Sequence, residues 1–399
     1  MWLRIYLYGL FQALIVDNFL WFIYLLHLGY SAALIGLGSA VYSLTLVLFN
    51  IPSSWIADRL KKRTVLFVAS IAKTLSSLCF LFGGLGFGLI LAGFITAGIA
   101  TALPTGVDLT YLKDIVNQNS ASHYSSELFR LKLSRFVTMQ SVALLVAGVL
   151  GGILSAWSFD VLYLADVLVG VMTMVLVWSL PMPRRDGVCT KSRRAKKLIV
   201  WRSYFEALSV LVNGTVVFRR LAAVAIGVGV LSAALNTYSQ GLLSSEGLRT
   251  AVIPLIFAIT TLPAVAGSWF AGMFRTQGSQ KKGIMVLTWL YALSGIVCAL
   301  NLPSASGTIF LSAGGIAVGQ LGRGLSSVLF NEQLLGHAPE KSRSLALSMV
   351  STIQTLMMIV VSPLCGFLAT QAGFHLIFMI SAIVFAIMAM TFRSLGFEL

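Results

Sequence analysis

Ionisable side chains set within long apolar stretches are the residues of this sequence that could do chemistry. Asp17 stands in the first such stretch, and a continuous helix would put Trp21 and Tyr24 on its face at i+4 and i+7. A carboxylate beside aromatic rings can hold a proton, a sodium ion or an organic cation through charge and cation–π attraction. The plainer alternative is a structural carboxylate bonded to a neighbouring helix. Either way the group is costly in an apolar surround, which makes it a candidate by default.

Further along, Gln320, Arg323, Ser327 and Asn331 recur at i, i+3, i+7 and i+11 and form one polar stripe. Gly319, Gly322 and Gly324 thin the same stretch and permit close packing. A buried arginine seeks a carboxylate or an anionic solute group, so Arg323 reads as a cavity residue or as half of a structural ion pair. Asp108 reads as a second titrating group or as a partner for Arg135. Asn236, Tyr238 and Gln240 give another stretch a polar end, and Asp166 and Glu332 are further candidates. Lys73, in the middle of its stretch, reads as a lysine that snorkels or pairs.

The elements that position these groups follow from hydropathy. The chain has 399 residues, of which 58% are hydrophobic and 10% charged, against about 25% charged in a soluble domain. Apolar runs of roughly 20 residues, the length that crosses a bilayer, fall at roughly 5–26, 32–53, 64–84, 87–112, 133–156, 160–181, 221–243, 249–271, 283–302, 306–331, 344–370 and 373–394. Twelve spans place both termini on one side.

The net charge of +15 follows this topology. All of the 28 Lys and Arg except Lys73, Arg249 and Arg323 fall in or beside the same set of loops or the termini. That is the positive-inside bias, so those loops and both termini are expected in the cytoplasm, and the charge does not imply nucleic acid. Cys79, Cys189, Cys298 and Cys365 show no disulfide or metal spacing, and the histidines are scattered. The first stretch is too long for a cleavable leader and carries Asp17 and Asn18. The sequon Asn213-Gly214-Thr215 falls on the cytoplasmic side. No nucleotide loop, metal cluster or catalytic spacing points to an enzyme.

The chain divides into 1–182, a basic linker over 183–212, and 213–399. Trp201, Tyr204, Phe205, Leu208 and Leu211 suit an amphipathic helix on the inner membrane surface, or an early start to span seven. An internal repeat supports two six-helix bundles. Ser54-Trp55-Ile56-Ala57 recurs as Ser268-Trp269-Phe270-Ala271, Thr138 and Gln140 as Thr352 and Gln354, and Gly152 as Gly366, all with one offset. The expected fold is an all-α polytopic membrane protein of twelve transmembrane helices in two pseudo-symmetric halves.

Between spans two and three stands Ser54-Trp55-Ile56-Ala57-Asp58-Arg59-Leu60-Lys61-Lys62-Arg63. It resembles the loop G-x-x-x-D-R-x-G-R-R of the major facilitator superfamily of secondary transporters. Ser54 and Lys61 replace the two glycines, whereas Asp58, Arg59, Lys62 and Arg63 match. The resemblance implies a cytoplasmic gate in which Asp58, with Arg59 and Arg63, meets the start of span eleven near Arg343. A carboxylate is favoured at such a helix N-terminus. Asp114 could extend that network or stand as a solvated charge, and Asp58 itself could serve only to mark topology.

Two narrower likenesses follow. Thr105-Gly106-Val107-Asp108-Leu109-Thr110-Tyr111-Leu112-Lys113-Asp114 is similar to S-G-x-x-E-A-L-x-Y-D-S-L in a poorly characterised bacterial branch that is often labelled as drug efflux. Gly148-Val149-Leu150-Gly151-Gly152 resembles the G-P-x-x-G-G of drug antiporters without its proline, and Pro363-Leu364-Cys365-Gly366 is a partial form of the same pattern.

The resemblance implies alternating access, with proton-coupled export of a small amphiphilic drug or natural product as the first expectation. Asp17 would carry the proton or a cationic substrate group. No cofactor is expected; the coupling ion is H+, with Na+ as the alternative. The partners expected are a small-molecule substrate and the lipid bilayer, with no nucleic acid, and the chain is expected to work as a monomer in the inner (cytoplasmic) membrane. The alternatives are a symporter for a polar, zwitterionic or anionic solute, a lysolipid flippase, or a receptor or scaffold that has lost transport.

Overall fold

Long apolar sequences satisfy their backbone groups in hydrocarbon only as helices or closed barrels, and this chain takes the helical solution. The computed structural model describes residues 2–59, 62–105, 107–118, 125–181, 215–271, 273–274, 277–302, 304–337 and 343–394. Fourteen α-helices run through them. In the first half they are α1 (Trp2–Ala13), α2 (Trp21–His27), α3 (Ala32–Arg59), α4 (Lys62–Leu81), α5 (Phe87–Ala102), α6 (Val107–Gln118), α7 (Ser125–Trp157) and α8 (Phe159–Trp178). In the second they are α9 (Val216–Ser245), α10 (Ile253–Ala271), α11 (Gln277–Ala299), α12 (Ala305–His337), α13 (Arg343–Ala372) and α14 (Phe374–Ser394).

Among the described residues, nine helices are long and apolar enough to cross a membrane by themselves. The other expected crossings are α12, whose glycines and polar stripe lower its hydropathy, and two crossings that are interrupted. The first expected span is not one helix: it breaks between Ala13 and Trp21. The fourth breaks between Ala102 and Val107, where Pro104 cannot continue the ladder and its carbonyl instead accepts from the Val107 and Asp108 amides.

The chain forms two units, 1–24 with 38–192 and 25–37 with 193–399. In the first, α4 packs on α5 and α8, and α1 on α7. In the second, α11 packs on α12 and α14, and α9 on α13. These pairings correspond through the sequence offset, so the repeat extends from matched letters to matched packing. Neither break is repeated, since α9 and α12 run unbroken. The interruptions are therefore properties of this half rather than requirements of the architecture.

Close approach marks the second unit. A β-carbon on Gly324 would stand 1.9 Å from the Ala264 carbonyl oxygen, and one on Gly267 would stand 2.2 Å from that of Leu321. Helices α10 and α12 thus touch backbone to backbone, as small residues allow in membranes. The expected amphipathic helix over 201–211 and the linker lie outside the described residues.

Candidate functional site

The break in helix 1 needs partners for its backbone, because an unpaired amide or carbonyl in an apolar interior costs several kcal/mol. Two charged side chains from other helices supply them. Asp166 of α8 accepts the Val16 amide at 2.8 Å and the Asp17 amide at 3.0 Å. Lys73 of α4 donates to the carbonyls of Phe11 (2.8 Å), Gln12 (3.0 Å) and Leu14 (3.0 Å). Thr173 of α8 adds a bond to the Phe11 carbonyl at 3.3 Å. The signs are complementary: a cation sits at the carbonyl end of α1 and an anion at the amides that lead into α2.

Asp17 lies within electrostatic reach of Asp166, Lys73 and the Tyr163 hydroxyl. Asp166 is 2% exposed and Lys73 8%. Tyr163 is fully buried, with its hydroxyl beside the Asp17 carboxyl. The cluster holds two carboxyls and one ammonium. Lys73 and Asp166 are committed to opposite sides of the break, which leaves Asp17 as the surplus acid. One proton or one monovalent cation neutralises it.

Asp17 lies in the break rather than inside one continuous helix, and its carbonyl accepts the Trp21 amide at 2.9 Å, so Trp21 follows it by one turn at the start of α2. Trp21 meets Phe22 and Phe94 edge-on, at 5.7 and 5.6 Å between centroids. Tyr24 is buried, its hydroxyl donates to the Phe80 carbonyl at 2.6 Å, and its ring packs 4.5 Å from that of Tyr163. Lys73 does not snorkel, because all three of its donors point inward to backbone. Asp108, in the first turn of α6, accepts from the Tyr8 hydroxyl at 2.7 Å rather than from Arg135.

In the second unit the polar stripe of α12 lines two clefts. The first, with a cavity volume of about 30 Å³, is bounded by Ser232, Asn236, Tyr291, Gln320, Arg323 and Phe378 among others, on α9, α11, α12 and α14. Gln320 donates to the Asn236 side-chain oxygen at 3.0 Å, which orients both amides. Tyr291 stacks on Phe385, with centroids 4.9 Å apart. The second cleft, about 230 Å³, is lined by Ser327, Asn331 and Gln354 among others. Among the described residues Lys62–Asp114 is the one salt bridge, so Arg323 has no carboxylate partner there.

On the side expected to face the cytoplasm, Lys62 pairs with Asp114 at 2.7 Å. Arg63 donates to the carbonyls of Trp178 and Leu180 (3.3 Å to the latter) and lies 5.1 Å over the Trp178 ring. It therefore caps the end of α8, where a cation is favoured. The side chains of Asp58, Arg59 and Arg343 lie outside the described residues.

Sequence reasoning underweighted Asp166 and missed Tyr163, Tyr291 and Tyr8. Asp166 carried the available signal, an acid in an apolar stretch. The tyrosines carried none, because a tyrosine in a span reads as core until its hydroxyl is located.

None of the curated protein sequences compared with the chain matches it. The fold does have solved counterparts. It is similar to the nucleoside transporter NupG, with 13% identity and a TM-score of 0.79 over 100% of this chain and 99% of that one. A D-xylose–proton symporter gives 12% identity and a TM-score of 0.71 over 98% and 97%. A bacterial homologue of the human lysosomal transporter Spinster gives 14% identity and 0.70 over 99% and 95%. At these identities the likeness establishes the fold alone. The model of the Major Facilitator Superfamily matches residues 6–331. With the twelve-span helical architecture and its repeated halves, this multi-pass membrane protein is a secondary transporter rather than an enzyme, and it belongs to the Major Facilitator Superfamily.

Proposed function

We propose that this transporter is coupled to protons through Asp17 and carries a small amphiphilic organic solute, whose polar end meets Arg323, Asn236 and Gln320. The observation that carries the reading is the charge count at the helix-1 break. Two carboxyls face one ammonium whose donors are all taken by backbone, so the Asp17 carboxyl is the group left to gain and lose a proton. A buried site of this kind exchanges a single charge at the lowest electrostatic cost when the cluster passes between neutral and minus one.

The solute class rests on the first cleft. The face of Tyr291 with Leu235, Ile316 and Phe378 offers an apolar wall, while Arg323 and the amide pair offer a polar one. An unpaired guanidinium favours a carboxylate, a phosphate or another anionic or strongly accepting group on the solute. Export is the direction we favour from the partial likeness of the Gly148–Gly152 stretch to drug antiporters, which the missing proline weakens. Uptake of a polar anionic or zwitterionic solute is the second reading, favoured by that same free guanidinium. The membrane proposed is the inner membrane, with both termini cytoplasmic.

Proteoliposomes with an imposed pH gradient test the coupling. Flux of an amphiphilic anion or zwitterion should follow the gradient in the wild type. Asp17→Asn should abolish accumulation while leaving exchange down a solute gradient. Flux indifferent to the pH gradient would remove the proton reading, and the sign of the driven flux gives the direction.

A further inference from the structure

The coordination of Lys73 is unusual for a structural lysine. Among the described residues its ammonium makes no direct ion pair; its donors go to three backbone carbonyl oxygens, those of Phe11, Gln12 and Leu14, at 2.8 to 3.0 Å. Three bonds require three N–H groups, which only the charged ammonium provides. The oxygens belong to the carbonyl end of an interrupted transmembrane helix, and carboxylates of Asp166 and Asp17 lie within electrostatic reach. Unwound carbonyls with nearby acids are the setting in which transporters hold an alkali cation.

We infer that Lys73 is a tethered cation occupying an alkali-metal site, and that it makes the coupling site of this chain selective for protons by excluding sodium. The ammonium supplies the positive charge that the carbonyl end of α1 requires, so no free ion is recruited there. The arrangement has a direct corollary. Cutting the side chain back to a methyl leaves three carbonyl oxygens converging on a space next to two acids, which is a sodium site.

This inference deepens the proton reading of the same break, but it stands or falls on a different measurement. The purified protein is titrated with sodium chloride against choline chloride at constant ionic strength, and its melting temperature is followed. The wild type should be indifferent to sodium. Lys73→Ala should gain a saturable rise of several degrees with sodium, as a ligand bound only by the folded state produces, and a smaller rise with potassium. Lys73→Gln, which keeps neutral donors at the carbonyls, should be recovered in either salt and show a weaker response.

A wild type that sodium stabilises saturably overturns the inference. So does a folded Lys73→Ala indifferent to sodium. If Lys73→Ala is recovered only from sodium-containing membranes, the inference is supported; if it is recovered in neither salt it is overturned, because a bound ion should replace the ammonium. The proton reading is judged separately by the pH-gradient flux of the wild type: that flux intact with a sodium-indifferent Lys73→Ala leaves the coupling standing and removes the role of Lys73.

Discussion

Gly151 of α7 lies against the carbonyl of Val16 in the helix-1 break: a β-carbon added to Gly151 would stand 2.7 Å from that oxygen. The break and the glycine stretch of span five are therefore one construction. A residue with no side chain lets α7 approach the place where helix 1 loses its own ladder. The contact explains why a glycine stands at position 151.

Substitution at Gly151 should act through the break. Gly151→Ala must push the Val16 backbone aside, and overpacking of this kind costs about 1–3 kcal/mol. The expected result is a lowered melting temperature with partial transport, and Gly151→Leu should abolish transport. Gly88→Ala serves as the control, because a β-carbon added there would meet nothing within 4 Å. Equal effects at the two positions would detach the glycine stretch from the break.

Asp166 should prove as important to the break as Asp17 is to coupling, but in a different assay. Removing its carboxylate leaves two buried amides unpaired, each at about 1–3 kcal/mol. Asp166→Ala should therefore lose stability and transport together. Asp166→Asn keeps one side-chain oxygen as acceptor and should fall between it and the wild type. Asp17→Asn, whose side chain caps nothing in this way, should retain near-normal thermal stability while losing proton coupling. Comparable destabilisation by the two asparagine variants would mean that Asp17 is structural.

The fold was legible because it follows from local signals. Apolar runs of bilayer length fix the spans, basic loops fix their order, and the shared offset of Trp55 with Trp269 and Gln140 with Gln354 marks the halves. The site was only half legible. Asp17, Asp108, Gln320 and Arg323 are conspicuous as polar residues in apolar stretches. The break that gives Asp17 its setting is invisible locally, because Leu14-Ile15-Val16-Asp17-Asn18-Phe19-Leu20 is nearly as apolar as a helix and contains no proline or glycine. The partners that satisfy it are distant in sequence, Asp166 150 residues from Val16 and Lys73 59 residues from Leu14. The break in span four did carry a local mark, Pro104 beside Gly106, yet the apolar run on both sides read straight through it.

Arg323 should act on solute affinity. Arg323→Ala removes charge-assisted hydrogen bonds of about 1.5–3 kcal/mol, which corresponds to a rise in KM of about tenfold or more. Arg323→Lys keeps the charge without the planar fork and should recover part of the loss. Melting temperature should barely move, because no ion pair is broken among the described residues. A large loss of stability on substitution would place Arg323 in the framework rather than the cleft.

Glu246, just past the end of α9, gives a pH dependence outside the spans. Burial raises its carboxyl above the ordinary value; the Ser312 hydroxyl, which donates to one of its oxygens, and nearby His375 offset this in part. A raised carboxyl binds its proton more tightly in the folded than in the unfolded state. Its contribution is thus fully present below the ordinary glutamate value, about 4.3, and is lost as pH rises through the raised value. The melting temperature of the wild type should carry a falling component across that window. Glu246→Gln should lack it and be the more stable variant at neutral pH. Identical pH profiles would show that the carboxyl is fully solvated.

Asp114 separates topology from gating on the side expected to face the cytoplasm. Its bond to Lys62 at 2.7 Å joins side chains that are 41% and 25% exposed, and exposed pairs of this kind contribute about 0–1 kcal/mol. Asp114→Asn should therefore leave the melting temperature almost unchanged. If Asp114 only carries solvated charge, transport should also be unchanged. The resemblance of the Ser54–Arg63 loop predicts a contrasting result at Asp58, where Asp58→Asn should slow transport severalfold with the fold intact. The decisive comparison is the rate of solute exchange in the two variants at equal amounts of folded protein. Slowing at Asp58 alone makes the loop a gate and Asp114 its solvated neighbour; slowing at both makes Lys62–Asp114 part of the gate; slowing at neither reduces the basic cluster to a determinant of topology.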